Sequence, residues 1–235
     1  MIQLHLILIA WSLLWASACS STQVAPPAAP ATGTLETVTD DVPAVIVPAF
    51  DDEYSRTVKQ LEAGHTDIDY VAFRRSFLKS DQYRVASEKS DEMRALKKAM
   101  FEQMETRNFA EIIKLTKAML SIDYTDMMAH KILRQTYEFT DDKANGRKYK
   151  TIQFGLLRSI VDNGDGQTCP TAWPVVQIAE EYFILEMLDA TLLQQSIDNT
   201  GGLCDKMEVE MKGKKQTYYF EISKIFEKRA QELGG

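Results

Sequence analysis

Residues 91–122 read DEMRALKKAMFEQMETRNFAEIIKLTKAMLSI, and this stretch decides the fold. Its apolar residues recur every three or four positions, so they fall on one face of a helix. No proline lies between Pro48 and Pro170, and no glycine lies between Gly64 and Gly146. Because proline and glycine interrupt regular structure most strongly, the sequence predicts long helices in this part of the chain.

The same stretch is related to the residues after it by an offset of 34 positions. Six identities at this offset are Met93 with Met127, Ala95 with Ala129, Lys97 with Lys131, Thr106 with Thr140, Ala110 with Ala144, and Lys114 with Lys148. A period of 34 is that of tetratricopeptide repeats, and residues 108–123 resemble the second helix of one. Ile112 and Met119 stand where small residues are typical, and Tyr124 stands where proline is typical. We therefore expect two tetratricopeptide-like antiparallel hairpins over about residues 91–160 and no long solenoid; a generic antiparallel bundle is the alternative.

The chain changes character at residues 162–166, where the sequence DNGDG favours a turn. Three segments beyond it carry strand signals, namely 173–178, 207–211 and 217–222. The last two flank a turn at 212–214 and predict a hairpin, and about residues 223–233 predict a final helix. The sequence thus predicts an α+β, mostly helical fold: the helical hairpins, then a small antiparallel β-sheet of about three strands, then a C-terminal helix.

The N-terminus predicts export. Residues 1–18 carry no Lys, Arg, Asp or Glu, and they have the short apolar core of a signal peptide. Small residues at 16–18 before Cys19 resemble the bacterial lipobox, in which the cysteine is acylated. Ala16 stands where leucine is usual, and no Lys or Arg occurs before Arg56, so plain secretion and a cytoplasmic chain stay open as alternatives. We expect a lipoprotein of the bacterial cell envelope, anchored to the outer membrane and facing the periplasm.

The rest of the chain divides into a tether and a domain. Residues 19–50 hold five of the seven prolines and predict a flexible tether, in which the apolar stretch 42–47 could dock as an edge strand. Residues 51–235 are numerous enough for a single domain with its own core. We expect that domain to be helical over 51–162 and to contain the β-structure over 163–235.

Scattered residues of this domain resemble those of a known family. They are residues 69–74, Ser80, Tyr83, Ala129, His130, Ser159, Ile160, residues 164–166 and 180–182, Gln195, Ser196, Asp205, Tyr219 and Phe220. Over about residues 70–227 the pattern is similar to a family of bacterial envelope proteins known only as a domain of unknown function. The resemblance implies a signal-bearing or lipid-anchored protein and a shared architecture, and it implies no activity.

The cysteines predict one covalent cross-link. Cys169 and Cys204 remain once Cys19 is assigned to lipidation, and cysteines in an oxidising periplasm tend to pair. Three widely spaced cysteines cannot supply a four-ligand zinc site, and no CxxC redox motif is present. We expect a Cys169–Cys204 disulfide and no metal or cofactor.

Four residues stand out as weak binding candidates: His130, Asp165, Glu181 and Tyr182. Asp165 lies in a loop that lacks the spacing and terminal glutamate of a calcium site, so we expect a structural turn. We expect His130 to pack in a helix. For Glu180 and Glu181 we expect a solvated charge pair at the end of a strand, followed by a core Tyr182, although paired carboxylates can also serve acid–base catalysis.

The composition excludes some functions and leaves three open. A net charge of −7 argues against nucleic-acid binding, which needs a basic face. We expect a non-enzymatic protein that is attached to the membrane by its lipid anchor and docks a protein partner on its helical hairpins. The alternatives are an unrecognised enzyme with Asp165, Glu181 and His130 in one cleft, and a small-molecule or lipid carrier with an apolar cavity of about 300 Å³ or more.

Overall fold

The structure is a computed structural model that describes residues 43–234 and the side chains of residues 43–230. The predicted signal peptide, Cys19 and most of the predicted tether lie outside these residues. The helices are α1 (Glu53–Glu62), α2 (Tyr70–Lys79), α3 (Asp81–Glu88), α4 (Ser90–Thr106), α5 (Phe109–Ile122), α6 (Met127–Phe139), α7 (Lys143–Val161), α8 (Ile178–Met187) and α9 (Ser223–Gly234). The strands are β1 (Trp173–Pro174), β2 (Thr191–Asp198), β3 (Cys204–Met211) and β4 (Lys214–Glu221). The predicted α+β, mostly helical class is confirmed.

Helices α4 to α7 form two consecutive hairpins with short connections. Asn108 and Asp142 cap the second helix of each hairpin, and each side chain accepts a hydrogen bond from the backbone N–H three residues further on. The residues just before these caps, Arg107 and Asp141, have left-handed backbones with φ of 55° and 59°. The 34-residue offset is therefore a repeat of structure as well as of sequence. The tetratricopeptide class of the hairpins stays a prediction.

The sheet differs from the prediction in strand number and direction. The described strands lie in the order β1-β4-β3-β2, four instead of about three, and β1 runs parallel to β4 while the other pairs are antiparallel. The predicted strand over 173–178 is wrong beyond Pro174, because Gln177 and Glu180 form a capping box that starts α8. The sequence predicts neither α8 nor β2, since α8 shows no clear helical period and most residues of β2 are exposed.

The predicted C-terminal hairpin and helix are confirmed. Strands β3 and β4 pair in antiparallel register and are joined at Lys212 and Gly213, whose φ angles are 52° and 73°. Two successive residues with positive φ are typical of the type I′ turn that matches the twist of a tight hairpin. Helix α9 follows β4 at once.

One hydrophobic core runs from the helices into the sheet. Tyr54 of α1 stacks on Phe73 of α2 with ring centroids 5.4 Å apart. At the sheet end, Trp173 stacks on Tyr218 at 5.2 Å, and Phe220 packs beside Trp173. These last three aromatic residues therefore form the part of the core that lies at the sheet.

The segment before α1 docks on the domain without forming a strand. Val45 is buried in the core, and the backbone N–H of Ile46 donates a hydrogen bond to Ser121 Oγ at 2.8 Å. The predicted edge strand is thus wrong for residues 43–47, although the predicted docking takes place. No helix within residues 43–234 is long and apolar enough to cross a bilayer.

Candidate functional site

Arg74 and Glu180 form a buried ion pair where the helices meet the sheet. Nε and Nη2 of Arg74 donate to Oε1 and Oε2 of Glu180 at 2.6 and 2.7 Å. The other guanidinium N–H groups donate to the carbonyl and hydroxyl of Ser159 at 3.3 and 3.2 Å and to the Pro174 carbonyl at 3.0 Å. The backbone N–H of Val176 donates to Glu180 Oε2 at 2.7 Å. All five guanidinium protons therefore have acceptors, and the pair joins α2, α7, β1 and α8 instead of presenting a donor to a ligand.

Glu181, the next residue of α8, is equally buried but unpaired. Its exposed fraction is 0%, and neither carboxyl oxygen has a hydrogen-bond partner among the described residues. Burial, together with the nearby carboxylates of Asp205 and Glu180, raises the pKa of Glu181 to about 8. Glu181 is therefore mostly protonated at pH 7. The predicted solvated charge pair is wrong for both glutamates, because α8 turns them into the core.

Asp205 of β3 is the neighbour of Glu181 in this buried acidic pair. Asp205 is buried, its Oδ1 has no partner among the described residues, and burial raises its pKa. Its Oδ2 accepts a hydrogen bond from Gln195 Nε2, and Gln195 Oε1 accepts one from the Tyr182 hydroxyl at 3.0 Å. Tyr182 is 46% exposed, so the prediction of a core tyrosine is wrong. The residues thus form a polar chain from the buried carboxyl groups to the surface.

Tyr182 also borders a cleft of about 270 Å³ between α8 and the loop at residues 123–126. The charged side chains that line this cleft are Lys97, Asp123, Asp126, Glu180 and Glu186. Burial raises the pKa of Asp123 to about 7, in spite of the hydrogen bonds that it accepts from Thr125. The cleft therefore carries less negative charge at neutral pH than its residue types suggest.

His130 packs in the helical core, as predicted. Its Nε2 lies 2.7 Å from the Tyr124 carbonyl oxygen, and its ring lies against the rings of Tyr124 and Tyr149 at 4.9 and 5.8 Å. Burial lowers the pKa of His130 to about 4, so the imidazole is neutral at pH 7. Because the carbonyl oxygen can only accept a hydrogen bond, Nε2 is assigned as the protonated nitrogen of the imidazole.

Asp165 lies in an exposed turn, which confirms the structural reading of this loop. Its Oδ1 accepts hydrogen bonds from the Thr171 hydroxyl at 2.6 Å and from the Gln167 N–H at 2.9 Å. These bonds lower the pKa of Asp165. The neighbouring Gly166 carbonyl accepts from the Tyr219 N–H at 2.9 Å, so the turn is tied to β4. Within the part of the chain that the structure describes, no group of three or more His, Cys, Asp or Glu side chains is placed to hold a metal ion.

The four weak binding candidates thus have separate surroundings. Asp165 bonds within its own turn, His130 contacts tyrosines of the helical core, and Glu181 faces Asp205. Of the other three candidates, only Tyr182 is linked by hydrogen bonds to the pair of Glu181 and Asp205, through Gln195. A depression of about 310 Å³ between α8 and β2 is lined by apolar residues together with Glu186, Asp189 and Thr191.

The predicted disulfide is present. Cys169 and Cys204 are joined, with their Cα atoms 5.8 Å apart, and the bond connects the loop before β1 to the first residue of β3. Cys204 directly precedes Asp205, so the cross-link fixes the backbone beside the acidic pair. The predicted acylation site, Cys19, lies outside the described residues.

An apolar groove of about 230 Å³ lies between the two helical hairpins. Its lining residues are Met104, Arg107, Phe109, Ile112, Ile132, Gln135, Thr136 and Phe139. Phe139, at the end of α6, is 72% exposed and stacks on Phe109 with ring centroids 6.0 Å apart. Arg107 forms no ion pair with any side chain that the structure describes. The groove therefore combines exposed aromatic surface with one unpaired cation.

Sequence reasoning misses the partners of α8. The sequence analysis names Arg74, Gln195 and Asp205 only as part of the family resemblance. Nothing in their spacing indicates that they contact Glu180 or Glu181. One local signal exists for Arg74, which follows Phe73 and precedes Ser76 and Phe77 on a helix face that is otherwise buried. A charged residue within such a face needs a buried counter-ion.

The comparisons with known proteins give a family and no activity. A family model described as a domain of unknown function, DUF4919, matches residues 65–231, which is more than half of the chain. No curated protein and no solved structure matches the chain. The predicted resemblance to a domain of unknown function is confirmed, and the chain belongs to the DUF4919 family.

Proposed function

We propose that the protein is a lipid-anchored protein of the cell envelope that has no enzymatic activity and docks a partner protein on its helical hairpins. The observation that carries the docking proposal is the apolar groove with Phe139 exposed at its edge. Exposed aromatic side chains that border a groove are favourable anchors for a partner, because their apolar area is lost from water on binding.

The partner that fits the groove is an apolar protein segment that carries a carboxylate. Phe109, Ile112 and Ile132 offer contact to apolar side chains, and Arg107 offers a charge to an aspartate or glutamate. An amphipathic helix or an extended segment with this pattern matches the way that peptides bind to helical grooves. The acidic pair at Glu181 supports no comparable role, because both of its carboxyl groups are buried.

The anchoring proposal rests on the sequence. Residues 1–18 are uncharged, small residues precede Cys19, and a proline-rich stretch separates Cys19 from the domain. The Cys169–Cys204 disulfide supports an oxidising compartment such as the periplasm. A protein attached to the outer membrane and facing the periplasm has all of these features.

A photo-crosslinking amino acid at Gln135 tests the docking in living cells. Gln135 lines the groove, and Phe139 lies one helical turn beyond it. We expect a crosslinked product with a different protein. We expect Phe139→Ala to lower its yield about tenfold, which corresponds to an aromatic anchor that contributes about 1.4 kcal/mol to binding. The matched control is Phe226→Ala on α9, an exposed phenylalanine outside the groove, which should leave the yield unchanged.

The captured segment must also have the predicted chemistry. Mass spectrometry of the product should place the crosslink in an apolar segment with at least one Asp or Glu, and Arg107→Gln should lower the yield. A yield that Phe139→Ala and Phe226→Ala leave equally unchanged contradicts the proposal. A product that contains only two copies of this chain contradicts it as well.

A further inference from the structure

A second surface lies between α2 and α9, and it differs from the apolar groove in the charge and type of its lining residues. It is a cavity of about 360 Å³ lined by Arg75, Leu78, Lys79, Lys224, Glu227 and Lys228. Four of these six side chains are cationic and one is acidic, in a protein whose net charge is −7. The local excess of positive charge is therefore opposite in sign to the charge of the whole chain.

Among the described side chains, three of the four cations lack an acidic partner. Lys224 Nζ pairs with the Glu227 carboxylate at 2.7 Å, and Lys228 Nζ lies 4.8 Å from the centroid of the Tyr83 ring. Arg75 and Lys79 form no ion pair with any described side chain. Several other exposed cations on the helices pair within one turn, as Arg84 does with Glu88. The cavity thus holds unpaired positive charge together with the apolar side chain of Leu78.

A series of contacts links the segment before α1 to this cavity. The backbone N–H of Ile46 bonds to Ser121 Oγ, and Gln82 Nε2 donates to the carbonyls of Ser121 and Ile122 at 3.3 and 2.8 Å. Gln82 precedes Tyr83, whose ring lies under Lys228. The first described residues and the basic cavity are therefore connected through the end of α5 and the short helix α3.

We propose that the cavity binds the phosphate headgroup of an anionic phospholipid, so that the domain rests on the membrane that holds its anchor. The proposal depends on the proposed anchoring at Cys19 for its biological setting. Residues 19–42 can extend about 80 Å at most, at about 3.4 Å per residue, so the tether alone does not hold the domain at the surface. A basic patch on the domain adds an electrostatic contact with anionic headgroups to the attachment that the anchor provides.

Vesicle co-sedimentation tests the cavity without the anchor. The chain without residues 1–18 and with Cys19→Ser lacks both the apolar export segment and the candidate acylation site, so its binding to lipid reports on the rest of the chain. We expect the protein to sediment with vesicles of phosphatidylcholine that contain about 30% phosphatidylglycerol. With vesicles of pure phosphatidylcholine we expect it to remain in the supernatant. Binding should weaken as salt rises from about 50 to about 300 mM, because salt screens the attraction.

A charge-matched pair of variants makes the test specific. Arg75→Gln with Lys79→Gln should lower the vesicle partition coefficient about tenfold or more, since each cation near an anionic surface contributes about 1 kcal/mol. Arg94→Gln with Lys98→Gln removes the same charge from α4, where both cations have acidic partners, and should change it much less. Equal losses in the two double variants, or no binding to anionic vesicles, would overturn the proposal.

Two further outcomes separate the cavity from its alternatives. Saturable binding of inorganic phosphate without vesicle binding would overturn the assignment to a membrane lipid. Washing cell membranes at about 300 mM salt, which weakens binding by the cavity, tests the anchor independently: wild-type protein should remain with membranes, and Cys19→Ser should shift to the soluble fraction. If both proteins fractionate alike, the anchor is refuted, whereas the vesicle result still decides the cavity.

Discussion

Glu180 and Glu181 are neighbours on α8 with the same side chain and the same burial, yet they meet opposite surroundings. On the Arg74 side, which comprises Arg74 and Glu180, the carboxylate is bidentate to a guanidinium and accepts a backbone N–H. On the Asp205 side, which comprises Glu181 and Asp205, the carboxyl oxygens of Glu181 have no described partner and another carboxyl group lies nearby.

The difference shows that pairing, and not burial alone, decides whether a buried acid is charged. A buried carboxylate loses its hydrogen bonds to water. At Glu180 the bidentate arginine and a backbone N–H compensate for much of the free energy that is lost with them. Glu181 has no such replacement, so burial raises its pKa to about 8 and the acid stays protonated. The Arg74 side therefore stabilises the fold at neutral pH, whereas the Asp205 side is sensitive to pH.

The largest expected effect comes from breaking the Arg74 side. Glu180→Ala leaves a buried guanidinium without its counter-ion and should lower the free energy of unfolding by about 3–5 kcal/mol, measured by urea denaturation. Arg74→Met combined with Glu180→Leu should cost less than either single truncation, because no charge is left buried alone. Arg84→Ala, which removes an exposed ion pair with Glu88, is the control and should cost less than about 1 kcal/mol. A loss from Glu180→Ala as small as that of the control contradicts the structural role.

The next effect concerns the disulfide beside the Asp205 side. Cys169 and Cys204 are 35 residues apart. Opening this loop, by reduction or by replacing both cysteines with serine, should lower the free energy of unfolding by about 4 kcal/mol. Hydrogen exchange followed by mass spectrometry should show faster exchange in β3 than in α2, because Cys204 starts β3. Cys19→Ser is the control and should leave both unchanged. Equal acceleration in β3 and α2 argues against a local effect of the disulfide.

The sequence predicts those parts of the fold that local patterns determine. The helical hairpins follow from apolar spacing and the 34-residue offset, and the β3–β4 hairpin follows from alternation around Gly213. Helix α8 escapes prediction because its apolar and acidic residues are both buried, which removes the contrast that marks a helix face. Strand β2 escapes because an exposed edge strand needs no apolar alternation.

The candidate site is less predictable than the fold, because its contacts join distant parts of the chain. Arg74 and Glu180 are 106 positions apart, and only the tertiary fold brings them together. His130 and the Cys169–Cys204 bond are predictable, since one needs only a helix and the other only a count of cysteines. Whether a buried carboxyl group such as that of Glu180 or Glu181 has a partner depends on which element packs over it. No local sequence pattern predicts that.

The smallest effect, and the most specific to the Asp205 side, is the pH dependence of stability. The folded pKa of Glu181 is about 8 against 4.5 in the unfolded chain, so the folded state binds more protons between these values and stability falls as pH rises. Between pH 6.5 and 8 this group should remove about 1.5 kcal/mol, and Asp123 adds a smaller fall in the same direction. His130 contributes little here, since its folded pKa of about 4 affects stability mainly below pH 6.5.

Glu181→Gln sharpens this comparison because glutamine has the shape of the protonated acid and cannot ionise. We expect urea denaturation of this variant to show most of the fall between pH 6.5 and 8 abolished, with stability at pH 6.5 nearly unchanged. Glu186→Gln, an exposed position one turn further along α8, is the matched control and should keep the wild-type profile. If Glu181→Gln instead keeps the full slope, Glu181 is already ionised at pH 6.5. In that case burial without a partner does not hold this acid neutral, and the contrast with Glu180 fails.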